Sequence, residues 1–340
     1  MRSFLRYFLL LIATLAALTL YLPVHYGVDY PAQLGPKFDA DIDMTYRDEI
    51  TAERPQIVLL GNSMVEANVD PPALAEALGR TVYIVSYSNT ASSMWYLFIK
   101  NNIVTSPYKP PILVIVFHDT TLTSPRYKVD GRLTALDKLA GTNEEVLTQL
   151  AYTNHMNPLE KFTKRYFPLI EFGSQIRDRI DSFIRYYSHR PFFNCGKRCV
   201  DSAFTNTFNL RAMNLPDAND LTSEESALYT NAYMNFSNRI DESFLPEIIR
   251  LCKENSIALI LVRSKTNSFP GGVEPVGISN YMDSLGDYLA KNNVQFADFH
   301  SDPRLSSKDF MDWFHVFPEA RGTYTQILAE ALKPLLEPGR

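Results

Sequence analysis

Short apolar runs rich in valine, isoleucine and leucine recur along the chain, separated by stretches with helical periodicity. The runs that predict strands are QIVLLGNS (56–63), TVYIVSY (81–87), ILVIVFHD (112–119), IALILVRS (257–264) and VQFADFH (294–300). The stretches that predict helices are 71–79, about 91–104, ESFLPEIIRLCKENS, about 279–292 and the C-terminal segment. Strands that are apolar throughout suit a parallel sheet covered by helices on both faces. The pattern therefore predicts a three-layer α/β fold of the flavodoxin-like kind.

A long interruption, about 122–235, lacks comparable apolar runs, and its pieces read as helical. Within it, residues 158–190 mix aromatic residues with lysine and arginine, which is compatible with a membrane surface or with a cap whose basic side is solvated. The predicted organisation is an N-terminal membrane anchor (1–25), the first part of an α/β domain (26–121), a helical insertion (122–235) and the second part of that domain (236–340).

The N-terminal segment has an uncharged apolar run at residues 7–24, preceded by Arg2 and Arg6. As a helix, such a run covers most of a bilayer core about 30 Å thick. Basic residues ahead of it favour a cytoplasmic N-terminus and a body in the periplasm or outside the cell. A cleaved signal peptide and a buried soluble helix are the alternatives, and small alanines at 13, 16 and 17 fit a processing site. We expect an uncleaved transmembrane anchor.

Composition narrows the classes of function. A chain of 340 residues with 46% hydrophobic content buries a sizeable core, in one large domain with insertions or in two. A net charge of −5 argues against nucleic acid as a partner. Cys195 and Cys199 flank a polar loop that an oxidising compartment would close into a disulfide, and Cys252 reads as a buried, inert thiol. No His/Cys cluster suggests a metal, and no cofactor motif is evident.

Ser63 and an Asp–His pair are the candidate catalytic residues. Ser63 follows the first predicted strand, and chemistry in parallel sheets collects at the carboxyl ends of the strands. Asp312 and His315 lie three residues apart, just before the last helix. Histidine is the base that a serine hydroxyl needs near neutral pH, and an aspartate orients the imidazole. Asp309 competes with Asp312 for the orienting role.

With these residues in place, the sequence resembles the SGNH (GDSL-like) hydrolase superfamily. LLGNS matches the first block of the family, with Asn62 where aspartate is commonest, and DWFH matches the last. The resemblance covers about 55–120 and 240–336. It implies that Ser63 is the nucleophile, His315 the general base and Asp312 its orienting residue.

The second and third blocks depart from the family pattern. The glycine of the second block is replaced in SYSNTASSMWY, and the third strand ends in VFHDTT instead of Gly-x-Asn-Asp. The candidate oxyanion donors are the Ser63 N–H, Asn89 and the Ser92 backbone. At the end of the third strand, His118 either donates to an oxyanion or is a buried histidine bonded to backbone. Arg263 ends the fourth strand and either binds an anionic sugar or phosphate or forms a surface salt bridge.

An anchored, exported body of this kind is similar to the accessory proteins of cell-surface polysaccharide O-acylation. That resemblance implies an acyl-enzyme on Ser63, a polysaccharide hydroxyl as acceptor and a multi-pass membrane acyltransferase of the MBOAT class as partner. Two alternatives stay open. One is a plain esterase or deacetylase of surface glycan or lipid, and the other is a non-catalytic assembly protein on a degenerate SGNH fold.

Overall fold

The computed structural model describes residues 2–26, 29–38, 41–88, 90–129, 133–167, 223–269 and 272–337. The chain divides into two compact units. One combines Met1–Pro36 with Tyr152–Leu215, and the other combines Lys37–Ala151 with Pro216–Arg340. The second unit contains the sheet and is called the α/β body.

The α/β body is built on five parallel strands. They are β1 (Ile57–Gly61), β2 (Val82–Ser86), β3 (Ile112–Phe117), β4 (Ala258–Arg263) and β5 (Gln295–Asp298). Their order is β2-β1-β3-β4-β5. Because β2 lies on one side of β1 and β3 on the other, the carboxyl end of β1 lies at a topological switch point, where open α/β sheets form their crevice.

Helices alternate with the strands. They are α1 (Arg2–Tyr26), α2 (Thr45–Glu53), α3 (Ser63–Asn68), α4 (Pro71–Leu78), α5 (Ser92–Phe98, continued by a π-turn at Ile99–Ile103), α6 (Leu133–Leu139), α7 (Glu145–Leu147, continued by a π-turn at Thr148–Tyr152), α8 (Pro158–Tyr166), α9 (Ser223–Ala227), α10 (Phe236–Arg239), α11 (Leu245–Glu254), α12 (Val276–Lys291) and α13 (Arg321–Leu336). Short 3-10 turns lie at Asp119–Thr123, Thr153–His155, Ile240–Glu242, Ser307–Asp309 and Pro318–Ala320.

The core lies on both faces of the sheet. Leu59 of β1 belongs to a buried cluster with Leu74 of α4 and Leu328 of α13. Val58 and Leu60, which point to the opposite face because side chains alternate along a strand, are equally buried. On that side α11 contacts β4 and α5. The parallel sheet with helices that the apolar runs predict is confirmed.

Gly61 ends β1 at a point of close approach. A Cβ built on Gly61 would lie 2.2 Å from Val65 Cγ2 and 3.0 Å from Val65 Cβ. Only a residue without a side chain lets the first turn of α3 pack this tightly over the strand end. Gly61 therefore fixes how closely α3 approaches the sheet.

The N-terminal segment forms the single helix α1, and its large apolar side chains, such as Phe4 and Tyr7, are exposed. Among the residues with a described position, no helix combines the length and the hydropathy needed to cross a bilayer. The transmembrane helix predicted at 7–24 is therefore not found.

The predicted insertion is only partly described. Its described parts, 122–129, 133–167 and 223–235, contain helices and turns but no strand. Cys195 and Cys199 lie outside the described residues, so the predicted disulfide stays a prediction.

Candidate active site

Ser63 lies where the carboxyl end of β1 passes into α3. Asn62 adopts extended backbone and caps the helix, because its side-chain oxygen accepts a hydrogen bond from Met64 N at 3.0 Å. This sharp strand-to-helix transition places Ser63 as the first helical residue, at the edge of the sheet where the crevice opens.

A loop ahead of α13 brings Asp312 and His315 to Ser63. His315 Nε2 lies 2.9 Å from Ser63 Oγ, and His315 Nδ1 lies 2.7 Å from Asp312 Oδ2. The other carboxylate oxygen, Asp312 Oδ1, accepts the backbone N–H groups of Phe314 and His315, each at 2.8 Å. Ser63 and the Asp–His pair, 252 positions from serine to histidine, thus form one hydrogen-bonded line.

The charge state of Asp312 decides which nitrogen of the His315 ring carries the proton. Burial opposes ionisation of Asp312, but hydrogen bonds from the His315 side chain and from the N–H groups of Phe314 and His315 outweigh it and lower the pKa of the carboxyl. An ionised carboxylate only accepts hydrogen bonds, so the neutral imidazole carries its proton on Nδ1. Nε2 is then the acceptor that faces the Ser63 hydroxyl, as a general base requires.

Asp309 has a different role from Asp312. Its Oδ2 accepts hydrogen bonds from the backbone N–H and the hydroxyl of Ser306, both at 2.8 Å, in a capping box at the 3-10 turn. The structure therefore assigns the contact with the imidazole to Asp312.

Arg263 is neither a surface residue nor open to an anion. It is 2% exposed, and its guanidinium pairs with Asp119 at 2.8 Å, with Asp298 at 3.3 Å and with Glu274. Three carboxylates around one guanidinium leave no positive charge available to attract an anionic ligand. Of the two sequence interpretations of Arg263, the salt bridge is found, although it is buried and not at the surface, and the three carboxylates disfavour the anion site. The sequence does not show that the strand end is buried among acids.

Asp119, the central carboxylate of this buried cluster, is 0% exposed and has a positive φ of 42°. Burial opposes its ionisation, but the charge of Arg263 outweighs it and lowers the pKa of Asp119. Tyr229, from the last part of the insertion, donates to its other oxygen at 2.6 Å. The pKa of Tyr229 is raised, first by burial and then by Asp119.

His118 and Ser92, two of the candidate oxyanion donors, are buried. Burial lowers the pKa of His118 to about 4, so the ring is neutral near pH 7, and it lies 4.5 Å from the ring of Phe314. Its Nδ1 forms no hydrogen bond within the described residues, so the backbone bond weighed as one alternative is not made by this atom. The Ser92 hydroxyl likewise has no partner among them. Asn89, another candidate, lies outside the described residues.

Asn68 and Asn267 contact the catalytic loop and were missed by the sequence reasoning. Asn68, 0% exposed at the end of α3, bonds to Phe314 O and Val316 N. Asn267 N donates to Trp313 O at 2.9 Å. The available signal for Asn68 was an amide among apolar residues of a helix that starts at the candidate nucleophile.

Other polar groups of the α/β body do not extend this site. Within the described ranges, no group of three or more His, Cys, Asp or Glu residues is arranged to hold a metal ion. Cys252 is free and buried, and burial raises the pKa of its thiol to about 12, as expected of an inert thiol.

Comparisons with known proteins give matches only among solved structures. No protein-family model and no curated protein matches the chain. A protein of the G-D-S-L family from Desulfitobacterium hafniense shares 9% identity at a TM-score of 0.38, covering 81% of this chain and 98% of its own. A GDSL-like lipase from Bacteroides thetaiotaomicron shares 14% at a TM-score of 0.37, covering 86% and 98%. Both of these structures are of GDSL-like proteins. This is the family that the two sequence blocks resemble, while the chemistry of the site rests on its own contacts.

Proposed function

We propose that this protein is a serine esterase that cleaves acyl esters through an acyl-enzyme on Ser63. The observation that carries the proposal is the unbroken line from Ser63 Oγ through His315 to Asp312, with heavy-atom distances of 2.9 and 2.7 Å. A nucleophile, its base and an orienting carboxylate within hydrogen-bond reach are what acyl transfer requires.

The steps follow from the protonation states. Ser63 Oγ attacks the ester carbonyl carbon while its proton moves to His315 Nε2, and the carboxylate of Asp312 stabilises the imidazolium. The tetrahedral adduct expels the alcohol, which takes the proton from Nε2. A water molecule then attacks the acyl carbon and gives a proton to Nε2, the acid is released, and the Ser63 hydroxyl is restored.

The departures in the second and third blocks bear on the rate. Losing one oxyanion donor costs about 10²–10³ in kcat in enzymes that depend on it. With His118 and Asp119 where the family has its third block, and with both side chains buried, we expect slow turnover of simple esters.

A fluorophosphonate probe and an acetyl ester test the assignment. Wild type is expected to incorporate the probe and hydrolyse p-nitrophenyl acetate. Ser63→Ala and His315→Ala are expected to lose labelling and to fall to a small residual rate of hydrolysis, while keeping the wild-type circular dichroism. Ser284→Ala, at a half-buried serine on α12, is the matched control and is expected to behave as wild type. Labelling of Ser63→Ala at the wild-type rate, or no labelling of wild type, contradicts the esterase and favours an assembly protein.

For the substrate class, we propose an exported protein at the membrane that acylates a polysaccharide hydroxyl, beside a multi-pass acyltransferase. Support comes from the uncharged run at 7–24 behind Arg2 and Arg6, and from the exposed apolar side chains of α1. In this case a sugar hydroxyl, and not water, attacks the acyl-enzyme.

Mass spectrometry separates transfer from hydrolysis. The full chain is incubated with p-nitrophenyl acetate and oligosaccharide acceptors, with Ser63→Ala as control. Acetylated sugar formed only by wild type supports transfer, and free acetate alone supports the plain esterase.

A further inference from the structure

One short helix joins the nucleophile to the loop that carries the base. Helix α3 begins at Ser63 and ends at Asn68. Asn68 Nδ2 donates to Phe314 O at 2.9 Å, and Val316 N donates to Asn68 Oδ1 at 3.0 Å. The Asn68 amide therefore holds the peptide groups on both sides of His315.

The two bonds require asparagine in one orientation. The side-chain nitrogen of Asn68 must face Phe314 O and the side-chain oxygen must face Val316 N–H. In the reverse orientation a donor would face a donor and an acceptor would face an acceptor. Asn68 is fully buried and Val316 is 2% exposed, so water is not at hand to replace a lost bond. Neither aspartate, which lacks the donor, nor leucine, which lacks both groups, reproduces this pairing.

Helix α13 secures the other side of Asn68. Thr325 Oγ1 accepts from Asp70 N at 2.9 Å, and Arg321 Nε donates to Val69 O at 3.1 Å. The end of α3 is thus fixed to α13, and the amide of Asn68 transmits this fixed position to the loop.

We infer that Asn68 is a positioning residue that sets the distance between Ser63 and His315, a role that rests on the proposed function. Side chains from the first strand and from the last loop have no common local structure that would align them. Helix α3 aligns them, because one short helix carries the Ser63 hydroxyl at its start and, at its end, the Asn68 amide that bonds to the loop of His315. A misplacement of about 1 Å in such a site costs about 10²-fold in rate.

Kinetics of Asn68→Ala test the inference against a matched buried asparagine. Asn102 is also 0% exposed, but its side-chain amide has no hydrogen-bond partner among the described residues. Asn68→Ala is expected to lower kcat for p-nitrophenyl acetate by about 10²-fold with little change in KM, since it acts through geometry. Asn102→Ala is expected to leave kcat unchanged. Equal kcat in Asn68→Ala and wild type overturns the inference.

A double variant separates positioning from a general loss of structure. If Asn68 acts through the triad, adding Asn68→Ala to Ser63→Ala removes nothing more from the residual rate. A further large loss in the double variant means a merely structural role. Should Asn68→Ala fail to fold, Asn68→Asp keeps the acceptor for Val316 N and loses the donor to Phe314 O, and its kcat is expected to fall while KM holds. A wild-type kcat in a folded Asn68→Asp contradicts the positioning role of the two Asn68 hydrogen bonds.

A readout without substrate keeps the two hypotheses distinct. The proton on His315 Nδ1, hydrogen-bonded to Asp312, is expected as a low-field NMR resonance in wild type and in Asn102→Ala, and as a lost or shifted one in Asn68→Ala. If wild type hydrolyses no ester but this pattern holds, the proposed function fails and the positioning role stands. If esterase activity is present and Asn68→Ala keeps the wild-type resonance, the positioning role fails.

Discussion

Removing the guanidinium of Arg263 is expected to cost about 3–5 kcal/mol of stability, because it leaves a buried carboxylate uncompensated. Asp119 is 0% exposed, and Arg263 is its cationic partner at 2.8 Å. The other two acids of the cluster, Glu274 and Asp298, have side chains 26% and 34% exposed and regain water when the arginine is lost. Most of the lost stability therefore comes from leaving the Asp119 carboxylate without its partner.

The change is Arg263→Met, which keeps the length of the apolar stem and removes the charge. Urea unfolding of the full chain is followed by fluorescence of Trp95 and Trp313, the two tryptophans, both buried in the α/β body. With an m-value of about 3 kcal/mol/M, the midpoint is expected to fall by roughly 1–1.7 M. Arg304→Met is the control, since that arginine forms exposed pairs that contribute little, and its midpoint is expected to stay at the wild-type value.

The pH dependence has a definite sign. In wild type the pKa of Asp119 is lowered despite burial, so its contribution is present above the pKa of the unfolded chain and is lost as the pH falls. Without Arg263, burial raises that pKa, so the penalty grows as the pH rises. The deficit of Arg263→Met is therefore expected to be larger at pH 7 than at pH 5, and adding Asp119→Asn is expected to restore much of it. Equal midpoints for Arg263→Met and Arg304→Met would refute the reasoning.

Other predictions concern the site and its support. Gly61→Ala is expected to lower the free energy of unfolding by about 1–3 kcal/mol and to slow ester hydrolysis, because the added Cβ meets Val65. Gly286→Ala, with open space at the Cβ, is expected to leave stability unchanged or to raise it. Urea midpoints and kcat check both variants. Asp312→Asn is expected to lower kcat by about 10⁴-fold with the fold intact, because the amide favours the wrong imidazole tautomer, and a kcat near wild type would contradict its orienting role. Cys252 is expected to resist a thiol reagent until urea unfolds the chain, and fast modification of native protein would contradict its burial.

The inner strands β1, β3 and β4 were predictable because each consists almost entirely of apolar residues. The run at 112–119 contains β3 at Ile112–Phe117, and the run at 257–264 contains β4 at Ala258–Arg263. Strands buried on both faces need no alternation, so composition alone marks them. The meeting of Ser63 with the Asp–His pair followed from the rule that carboxyl ends of parallel strands share an edge.

Contacts between distant side chains were not predictable in the same way. Asn68 bonds to the loop across 246 and 248 positions, and a single asparagine on a short helix reads equally well as a solvated residue. The three acids around Arg263 come from separate parts of the chain, so no local sequence pattern predicts that they cluster. Asp309 and Asp312 were equivalent by spacing, and only the capping of Ser306 by Asp309 separates them.

The pairing of β3 with β4 has a bearing on how this protein can change. The two strands are hydrogen-bonded neighbours from Ile112↔Ala258 to Phe117↔Arg263, although about 140 positions lie between them in the chain. The entropy of closing a flexible excursion grows only with the logarithm of its length, roughly 0.6 kcal/mol for each doubling. Descendants of this sequence are therefore free to change the length of this segment outside the parts that pack on the sheet, such as α11, while the scaffold persists. A change near Tyr229 would also affect the buried ion pair of Asp119 and Arg263, because Tyr229 lies in the segment between β3 and β4 and donates a hydrogen bond to Asp119.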